Sequence, residues 1–369
     1  QYDGLKSVSG LLGDKVEHPA FVKGKITGGK STVAYLFDNT QYYAPAMIAE
    51  LLKHNLIVKV GSKPFTYPGD GKPLRFGYGT LLVPVQSQPL NGEELYSLIG
   101  RLAEECGVDV YAAKQGLMQD YDLGSPSFTP LTLPKVAVIT GAGMGIPESG
   151  EVWMLLSQRF RLSPTLIDYN TLSGVDIDKY NVLIMADGTP TRTLSEAVVK
   201  KIVNWVEKGG ILIASGKAYA WTNKANLTDI KTIPAIRTDS TGYKSYASRL
   251  NANAGNAMEG VILHCRIDCT HPLAYGYNQE AIALFKNGTL AFKPSKNPYV
   301  SPVSYLKNPY LSGCISPDNL QRIAGTPAVI TQANGKGQVI VFIDDLNFRM
   351  YWYGTSKLFM NAILFGQLL

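Results

Sequence analysis

The segment NVLIMADGTPTRTLSEAVVKKIVNWVEKGGILIAS (181–215) decides the fold. It opens with an apolar run at 181–187, continues with apolar residues at helical spacing over 194–210, and closes with a second apolar run at 211–215. Both runs are continuously apolar rather than alternating, which is typical of parallel strands buried on both faces. The segment therefore predicts a strand–helix–strand unit with a right-handed crossover.

The same order of elements occurs twice along the chain. Upstream of this unit lie VAVIT (136–140), GEVWMLLSQRF (150–160) and PTLIDY (164–169). A similar series comes earlier, in VAYLF (33–37), APAMIAELLKHN (44–55), TLLVPV (80–85), NGEELYSLIGRLAEECG (91–107) and VDVYAA (108–113). Val33 and Val136 are 103 residues apart, and Leu82 and Ile184 are 102 apart. This regular offset predicts an internal duplication.

We therefore predict an α/β protein made of two doubly wound, mostly parallel sheet lobes, 1–132 and 133–369, the second with a flavodoxin-like strand order. Asn91 and Gly107 are expected to cap the helix between them. The N-G-K-G sequence within 327–345 predicts a β-hairpin, and 19–38 looks like a similar hairpin in the first lobe. Between 217 and 310 we expect long ordered loops with a few strands.

Composition excludes several classes of protein. Hydrophobic residues make up 45% and charged residues 17% of the 369 residues, which excludes wholesale disorder. No apolar run has the roughly 18 residues of a membrane span. The net charge is +6, but the basic residues are dispersed, so we expect no nucleic-acid partner. The four cysteines and four histidines are too scattered for a zinc site, so we expect no metal and no other cofactor.

The N-terminus carries no charged-then-apolar signal segment. Residue 1 is Gln and the first methionine is Met47, so we expect a processed product or a piece of a longer protein.

Three loops follow predicted strands of the second lobe and are candidate ligand sites. The first, GAGMGIPESG (141–150), contains Gly141 and Gly143 and could bind an anion, but it lacks the dinucleotide and P-loop patterns, so a plain tight turn is the alternative. In the second (187–189), Asp187 before Gly188 could act as a base or ligand, or could cap the turn.

The third loop is Ala214-Ser215-Gly216-Lys217-Ala218. A nucleophile elbow needs a reactive side chain between small residues on a sharp turn. The flanking residues here are small, but Gly216 occupies the nucleophile position and has no thiol. Ser215 is offset by one residue and has no visible His–acid pair, so we do not expect a working elbow.

Two further groups of residues are candidate sites. His271, near His264, Cys265, Asp268 and Cys269, could bind a metal, or it could be hydrogen-bonded in a turn before Pro272. Strand alternation would divide the cluster between two faces, which favours the second interpretation. Arg349 could clamp a carboxylate, or could tie the final helix to the sheet through Asp344 or Asp345.

The three loops should meet in one crevice, because the carboxyl ends of parallel strands share one edge of a sheet. Helix N-termini expected near Gly150 and Leu194, together with Lys217, favour a carboxylate guest, with phosphate second. The alternative is a crevice filled by the tyrosine-rich segment 296–310, which includes Tyr299, Tyr305 and Tyr310. Such a segment could also present aromatic contact area to a peptide or glycan.

The chain resembles the region after the catalytic domain in large bacterial zinc carboxypeptidases of the carboxypeptidase A superfamily. The resemblance rests on an ordered set of segments across nearly the whole chain: AYLFDNTQYYAPAMIAELLKHNLIVKVGSKPF (34–65), FGYGTLLVPV (76–85), GVDVYAAKQGL (107–117), DLGSPSF (122–128), GEVWMLLSQRF (150–160) and THPLAYGY (270–277). Residues 133–369 also resemble the class I glutamine amidotransferase-like fold.

These resemblances imply a secreted or periplasmic bacterial protein whose full form removes C-terminal residues from peptides. The zinc-binding residues of the family would lie in a preceding peptidase domain, so no catalytic residue carries over to this chain. The expected role is a non-catalytic accessory region that packs on that domain or binds substrate. The alternatives are a degenerate amidotransferase-fold hydrolase that uses Ser215, Asp187 and a histidine, and a peptide- or glycan-binding module.

Overall fold

The computed structural model describes residues 7–17, 21–69, 72–118, 121–188, 195–236, 245–248 and 255–369. The first lobe contains β1 (Ile26–Thr27), β2 (Ala34–Phe37), α1 (Ala44–Lys53), β3 (Lys59–Gly61), β4 (Phe65–Tyr67), β5 (Leu74–Phe76), β6 (Leu81–Pro84), α2 (Gly92–Cys106), β7 (Val110–Ala113) and β8 (Phe128–Pro130). Helix α2 has the caps that its sequence predicts. The Asn91 side chain accepts from the amides of Glu93 and Glu94 in a capping box, and Gly107 ends the helix with φ +63°.

The first sheet differs from the predicted parallel lobe. Its strand order within the described residues is β1-β7-β2-β6-β3-β8, and every neighbouring pair except β1–β7 is antiparallel. The expected N-terminal hairpin is also wrong, because β7 lies between β1 and β2. Apolar strands buried on both faces do not specify direction, so the sequence pattern could not separate the two cases. The sheet gives no support for the duplication, since its pairings differ from those of the second lobe.

The second lobe contains β9 (Val136–Thr140), α3 (Ile146–Met154), β10 (Thr165–Asp168), β11 (Val182–Met185), α4 (Glu196–Glu207), β12 (Ile211–Ser215), α5 (Tyr219–Lys224), β13 (Val261–Ile267), β14 (Ala281–Lys286), β15 (Val303–Ser312), α6 (Pro317–Ile323), β16 (Pro327–Asn334), β17 (Gly337–Phe342) and α7 (Tyr353–Phe365). A π-helical turn, Leu155–Arg159, continues α3.

The second sheet confirms the predicted parallel core. In the described residues it has nine strands in the order β10-β9-β11-β12-β17-β16-β15-β13-β14. The first five are parallel, and numbered along the chain their order is 2-1-3-4-5, which is the flavodoxin-like order. The predicted hairpin at 327–345 is also confirmed as β16–β17. Strands β13 to β15, in the segment expected to be mainly loops, extend the sheet with antiparallel pairs.

Helix α7 joins the two lobes. Eleven of its residues are buried. Within it, Lys357 donates from Nζ to the backbone oxygens of Asn39 and Gln41 in the first lobe. The Nδ2 of Asn361 donates to the backbone oxygens of Leu273 (2.9 Å) and Tyr275 (2.7 Å). These polar side chains satisfy buried carbonyls that packing alone would leave without partners.

The antiparallel half of the second sheet bends back toward the parallel half. Lys286 ends β14 and Asp344 follows β17, and four strand spacings in a flat sheet would separate them by roughly 19 Å. Instead, Lys286 Nζ lies 2.9 Å from Asp344 Oδ1, and both side chains are almost completely buried. Tyr305 on β15 donates its hydroxyl to Asp344 and accepts from Lys286 at 3.3 Å. Register shifts along β15 give the irregularity that such bending needs.

Removing the lysine of this network should destabilise the protein strongly. Lys286→Met leaves Asp344 buried without its cation, and we expect a loss of about 3–5 kcal/mol in the free energy of unfolding. Tyr305→Phe keeps the ion pair and removes the two hydrogen bonds of the hydroxyl, to Asp344 and from Lys286, so its expected loss is smaller, about 1–3 kcal/mol. Urea unfolding measures both. A Lys286→Met loss no larger than that of Tyr305→Phe would contradict this account of the bend.

Candidate functional site

A cavity of about 650 Å³ lies at the carboxyl ends of β11, β12 and β17. Its walls come from the loops after those strands, from the first turns of α3, and from the segments 232–235 and 287–290. Among the described residues, four carboxyl groups and two exposed cationic residues line it. The lining also includes polar and apolar side chains, namely Ser215, Tyr219, Thr232, Ile233, Asn287, Thr289, Leu290 and Phe348. The carboxyl groups are Glu148, Glu151, Asp187 and Asp345, and the cations are Lys217 and Arg349.

Five residues singled out from the sequence line this cavity: Asp187, Ser215, Gly216, Lys217 and Arg349. The sequence placed four of them in loops that should meet, and the structure does bring those loops together. Residue 189, the last of the second loop, lies outside the described residues. The expected helix start near Leu194 also lies outside them. Helix α3 begins at Ile146, four residues before the predicted Gly150.

Asp187 joins two of the loops through its carboxylate. Its Oδ1 accepts the backbone N–H of Lys217 at 2.8 Å and that of Gly188. Its own backbone N–H donates to Ser215 Oγ at 3.0 Å. The capping alternative for Asp187 therefore describes the observed geometry, and the Ser215 hydroxyl serves to hold the end of β11 against the end of β12.

Gly188 and the glycines of the first loop form tight backbone contacts beside the cavity without lining it. A Cβ on Gly188, where φ is +117°, would lie 2.4 Å from the backbone oxygen of Gly143. Gly145 donates its N–H to the Asp187 oxygen at 3.0 Å. A Cβ on Gly141 would lie 2.6 Å from the Asp168 carboxylate. These contacts match the tight-turn interpretation of Gly141 and Gly143.

The strand-to-helix turn after β12 keeps the backbone of an elbow but has no nucleophile. Gly216 has φ +53°, a left-handed conformation. A Cβ at Gly216 would lie 2.5 Å from Asp187 Cγ. None of the lining residues that the structure describes is a histidine, so the His–acid pair of a serine nucleophile is absent from the described lining.

His271 does not line the cavity. Its Nδ1 accepts the backbone N–H of Leu273 at 3.2 Å and caps the short turn 272–274. Burial lowers the pKa of His271 to about 4, so the ring is neutral at pH 7. Strand β13 alternates as predicted, with Cys265 buried and His264 on the opposite, half-exposed face. In the described ranges, no three His, Cys, Asp or Glu side chains converge as metal ligands would.

The tyrosine-rich segment 296–310 does not fill the cavity. Most of it forms β15, whose Tyr305 is buried against Lys286. Tyr299 and Tyr310 are exposed, and neither lines the cavity.

Sequence reasoning missed a pair of acids at this site, Glu151 on α3 and Asp345 after β17. Burial, the Asp345 charge and a hydrogen bond with Asp345 raise the pKa of Glu151 to about 8. Burial also raises the pKa of Asp345. Glu151 Oε2 is buried and has no N–H or hydroxyl partner in the described residues. We infer that Glu151 holds a proton at neutral pH and shares it with Asp345. The two residues are 194 positions apart, so no local motif could have revealed the pair.

The chain beside Glu151 is strained. Arg349 and Met350 both have left-handed backbones, with φ +47° and +60°. This conformation aims the Arg349 N–H at Glu151 Oε1, 2.8 Å away. Two consecutive non-glycine residues in this region are unfavourable and tend to occur at functional sites.

The Arg349 guanidinium lies 5.2 Å from the Phe348 ring centroid, and no ion pair links it to Asp344 or Asp345 in the described residues. The predicted tie between Arg349 and these aspartates is therefore absent. Asp344 pairs with Lys286 instead.

No family model matches the sequence, and no curated protein is significantly similar to it. Among solved structures, the chain is similar to a ThuA-like protein from Parabacteroides merdae, with a TM-score of 0.40, 12% identity and coverage of 62% of this chain and 88% of that one. It is also similar to a β-galactosidase from Bacillus circulans sp. alkalophilus, with a TM-score of 0.32, 11% identity and coverage of 62% and 30%. Likenesses at this level carry no information about activity.

Among the described residues, no helix is both long and apolar enough to cross a membrane.

The acid pair should make stability depend on pH. Glu has an ordinary pKa of about 4.3, and the folded value of Glu151 is about 8. The proton on Glu151 therefore stabilises the fold fully below about pH 4.3, and this contribution is lost as the pH rises through about 8. Glu151→Gln does not titrate, keeps an acceptor for Arg349 N–H and can donate to Asp345. We expect its free energy of unfolding to exceed that of the wild type by an amount that grows from pH 5 to pH 9.

Urea unfolding at pH 5, 7 and 9 measures this difference. Glu104→Gln is the matched control, because Glu104 lies on α2 and its only ion pair here is an exposed one with Lys23. A Glu151→Gln difference that stays constant with pH would contradict the shared proton.

Proposed function

We propose that this chain is a non-catalytic accessory region of a zinc carboxypeptidase-like protein and that its cavity binds part of the peptide substrate. The proposal includes the class I glutamine amidotransferase-like fold for the second lobe, a peptidase domain as the packing partner, and a secreted or periplasmic location. It rests on the sequence resemblance and on one structural observation, a ligand-sized cavity whose described lining residues include no activated nucleophile.

The cavity has the features of a binding site. Its volume of about 650 Å³ falls within the range of ordinary ligand pockets, roughly 300–1,000 Å³. Apolar side chains such as Ile233, Leu290 and Phe348 stand beside polar ones such as Asn287 and Thr289, which suits a peptide with both kinds of group. Ser215 is hydrogen-bonded to a backbone amide, and this fits binding better than acyl transfer.

A hydrolase remains the second candidate, and the observation that favours it is the acid pair rather than Ser215. Two carboxyl groups that share one proton can act as general acid and general base. On this alternative, Glu151 and Asp345 would replace the Ser215–Asp187–histidine set expected from the sequence.

One set of assays on the pure chain separates the two candidates. Isothermal titration calorimetry with a panel of blocked pentapeptides should show binding, and Ala220→Trp at the exposed mouth of the cavity should weaken it at least tenfold. Ala281→Trp, at an exposed position on β14 away from the cavity, is the control and should leave affinity unchanged.

Mass spectrometry of the same mixtures should find intact peptides after prolonged incubation. Cleavage that survives Ser215→Ala and disappears in Glu151→Gln would establish the hydrolase instead. An absence of binding to every peptide would contradict the accessory role proposed for the cavity.

A further inference from the structure

We propose that the cavity takes the cationic side chain of a lysine or arginine, with the cation directed at the Glu151–Asp345 pair. This inference rests on the proposed function and names the class of peptide that the cavity selects.

The first argument is the excess of carboxyl groups in the cavity. Glu148 and Glu151 come from α3, Asp187 from the end of β11 and Asp345 from the end of β17. Among the described lining residues, two cations stand against these four, Lys217 and Arg349, and both are exposed. The carboxylate guest expected from Lys217 and the helix N-termini would meet an unfavourable field here, whereas a cation would meet a favourable one.

The second argument is that the two cationic residues contact the acids through their backbone and not through their charged groups. Arg349 reaches Glu151 with its backbone N–H, and Lys217 reaches Asp187 with its backbone N–H. The guanidinium of Arg349 lies over the Phe348 ring. In the described part of the chain, no Lys or Arg side chain forms an ion pair with Glu151 or Asp345. Among the described residues, no side-chain cation therefore neutralises the charge of the acid pair.

The third argument concerns the apolar side chains that line the cavity. Tyr219, Ile233, Leu290 and Phe348 line the cavity and give the aliphatic part of a lysine or arginine side chain an apolar surface. Glu151 lines the same cavity, and its buried Oε2 has no N–H or hydroxyl partner among the described residues. An entering guanidinium or ammonium would supply the N–H donors that this oxygen lacks.

Binding should release a proton. At neutral pH the pair holds one proton, and a cation placed beside it favours the doubly ionised form. The proton passes to the buffer, so affinity should rise with pH between about 6 and 8.5. The other charged groups around the pair are Glu148, Asp187 and Asp344, together with Lys217 and Arg349 of the cavity lining, and they set where this rise occurs.

Calorimetry with three blocked pentapeptides, identical except for a central arginine, norleucine or glutamate, tests the inference. We expect the arginine peptide to bind at least tenfold more tightly than the norleucine peptide at pH 8, and the glutamate peptide to bind most weakly. Titrations in buffers of different ionisation enthalpy should show release of up to about one proton at pH 7 for the arginine peptide and none for norleucine.

Isosteric variants test whether the bound cation lies beside Glu151 and Asp345. Glu151→Gln and Asp345→Asn each leave one carboxylate, so each should retain arginine binding at pH 7 within about fivefold while abolishing proton release. The double variant removes the charge and should lose at least tenfold for arginine but not for norleucine. Glu104→Gln is the control. Norleucine binding also reports whether the double variant is folded.

The outcomes separate this inference from the proposed function. Equal binding of the arginine and norleucine peptides by the wild type would overturn the cation preference and leave the accessory role standing. Tighter binding of the glutamate peptide would overturn it in favour of a carboxylate guest. Binding of agmatine together with an absence of binding to all three peptides would support the cation site and contradict the peptide-binding role.

Discussion

The buried contact between Lys286 and Asp344 determines how the second lobe is shaped. It joins the last strand of the nine-stranded sheet to the end of the central strand β17, across a separation that a flat sheet could not span. The antiparallel half must therefore bend over the carboxyl ends of the parallel strands, and Tyr305 completes the hydrogen bonding of the buried charges. The segment 287–290, directly after Lys286, then becomes a wall of the cavity. Without this bend, the crevice at the strand ends would be open on one side.

The segment after β17, which Asp344 anchors, also carries Asp345, one member of the acid pair. Asp345 is the next residue, and five residues later the chain completes the strained turn through Arg349 and Met350. Strain of this kind persists only where the surroundings enforce it. Here Asp344 is fixed from one side by Lys286, and the Arg349 amide is fixed from the other by Glu151. The buried ion pair thus supports a less stable arrangement, in which two carboxyl groups share a hydrogen bond at the wall of the cavity.

The sequence predicted the parts of the fold that depend on local pattern. The apolar runs at 181–187 and 211–215 and the helix between them form neighbouring parallel strands and a crossover, and the loops at Asp187 and Lys217 meet. Strand direction in the first lobe could not be predicted, because an apolar four-residue strand such as β2 reads the same in either direction. The acid pair could not be predicted either, but for a different reason. In the sequence Glu151 looks like a surface residue of a helix, and only the fold brings Asp345 next to it.

The turn after β12 shows why a change of one residue would not create a nucleophile at Gly216. The backbone at Gly216 already has the left-handed conformation that such a turn needs, so conformation is not what is missing. The space for a side chain is missing, because a Cβ there would lie 2.5 Å from Asp187 Cγ. Asp187 cannot simply move aside, since its carboxylate holds the amides of Gly188 and Lys217 and so closes the ends of β11 and β12. The carboxylate that organises the loops is thus the group that excludes a side chain at Gly216, which leaves Glu148, Glu151 and Asp345 as the other acids of the cavity.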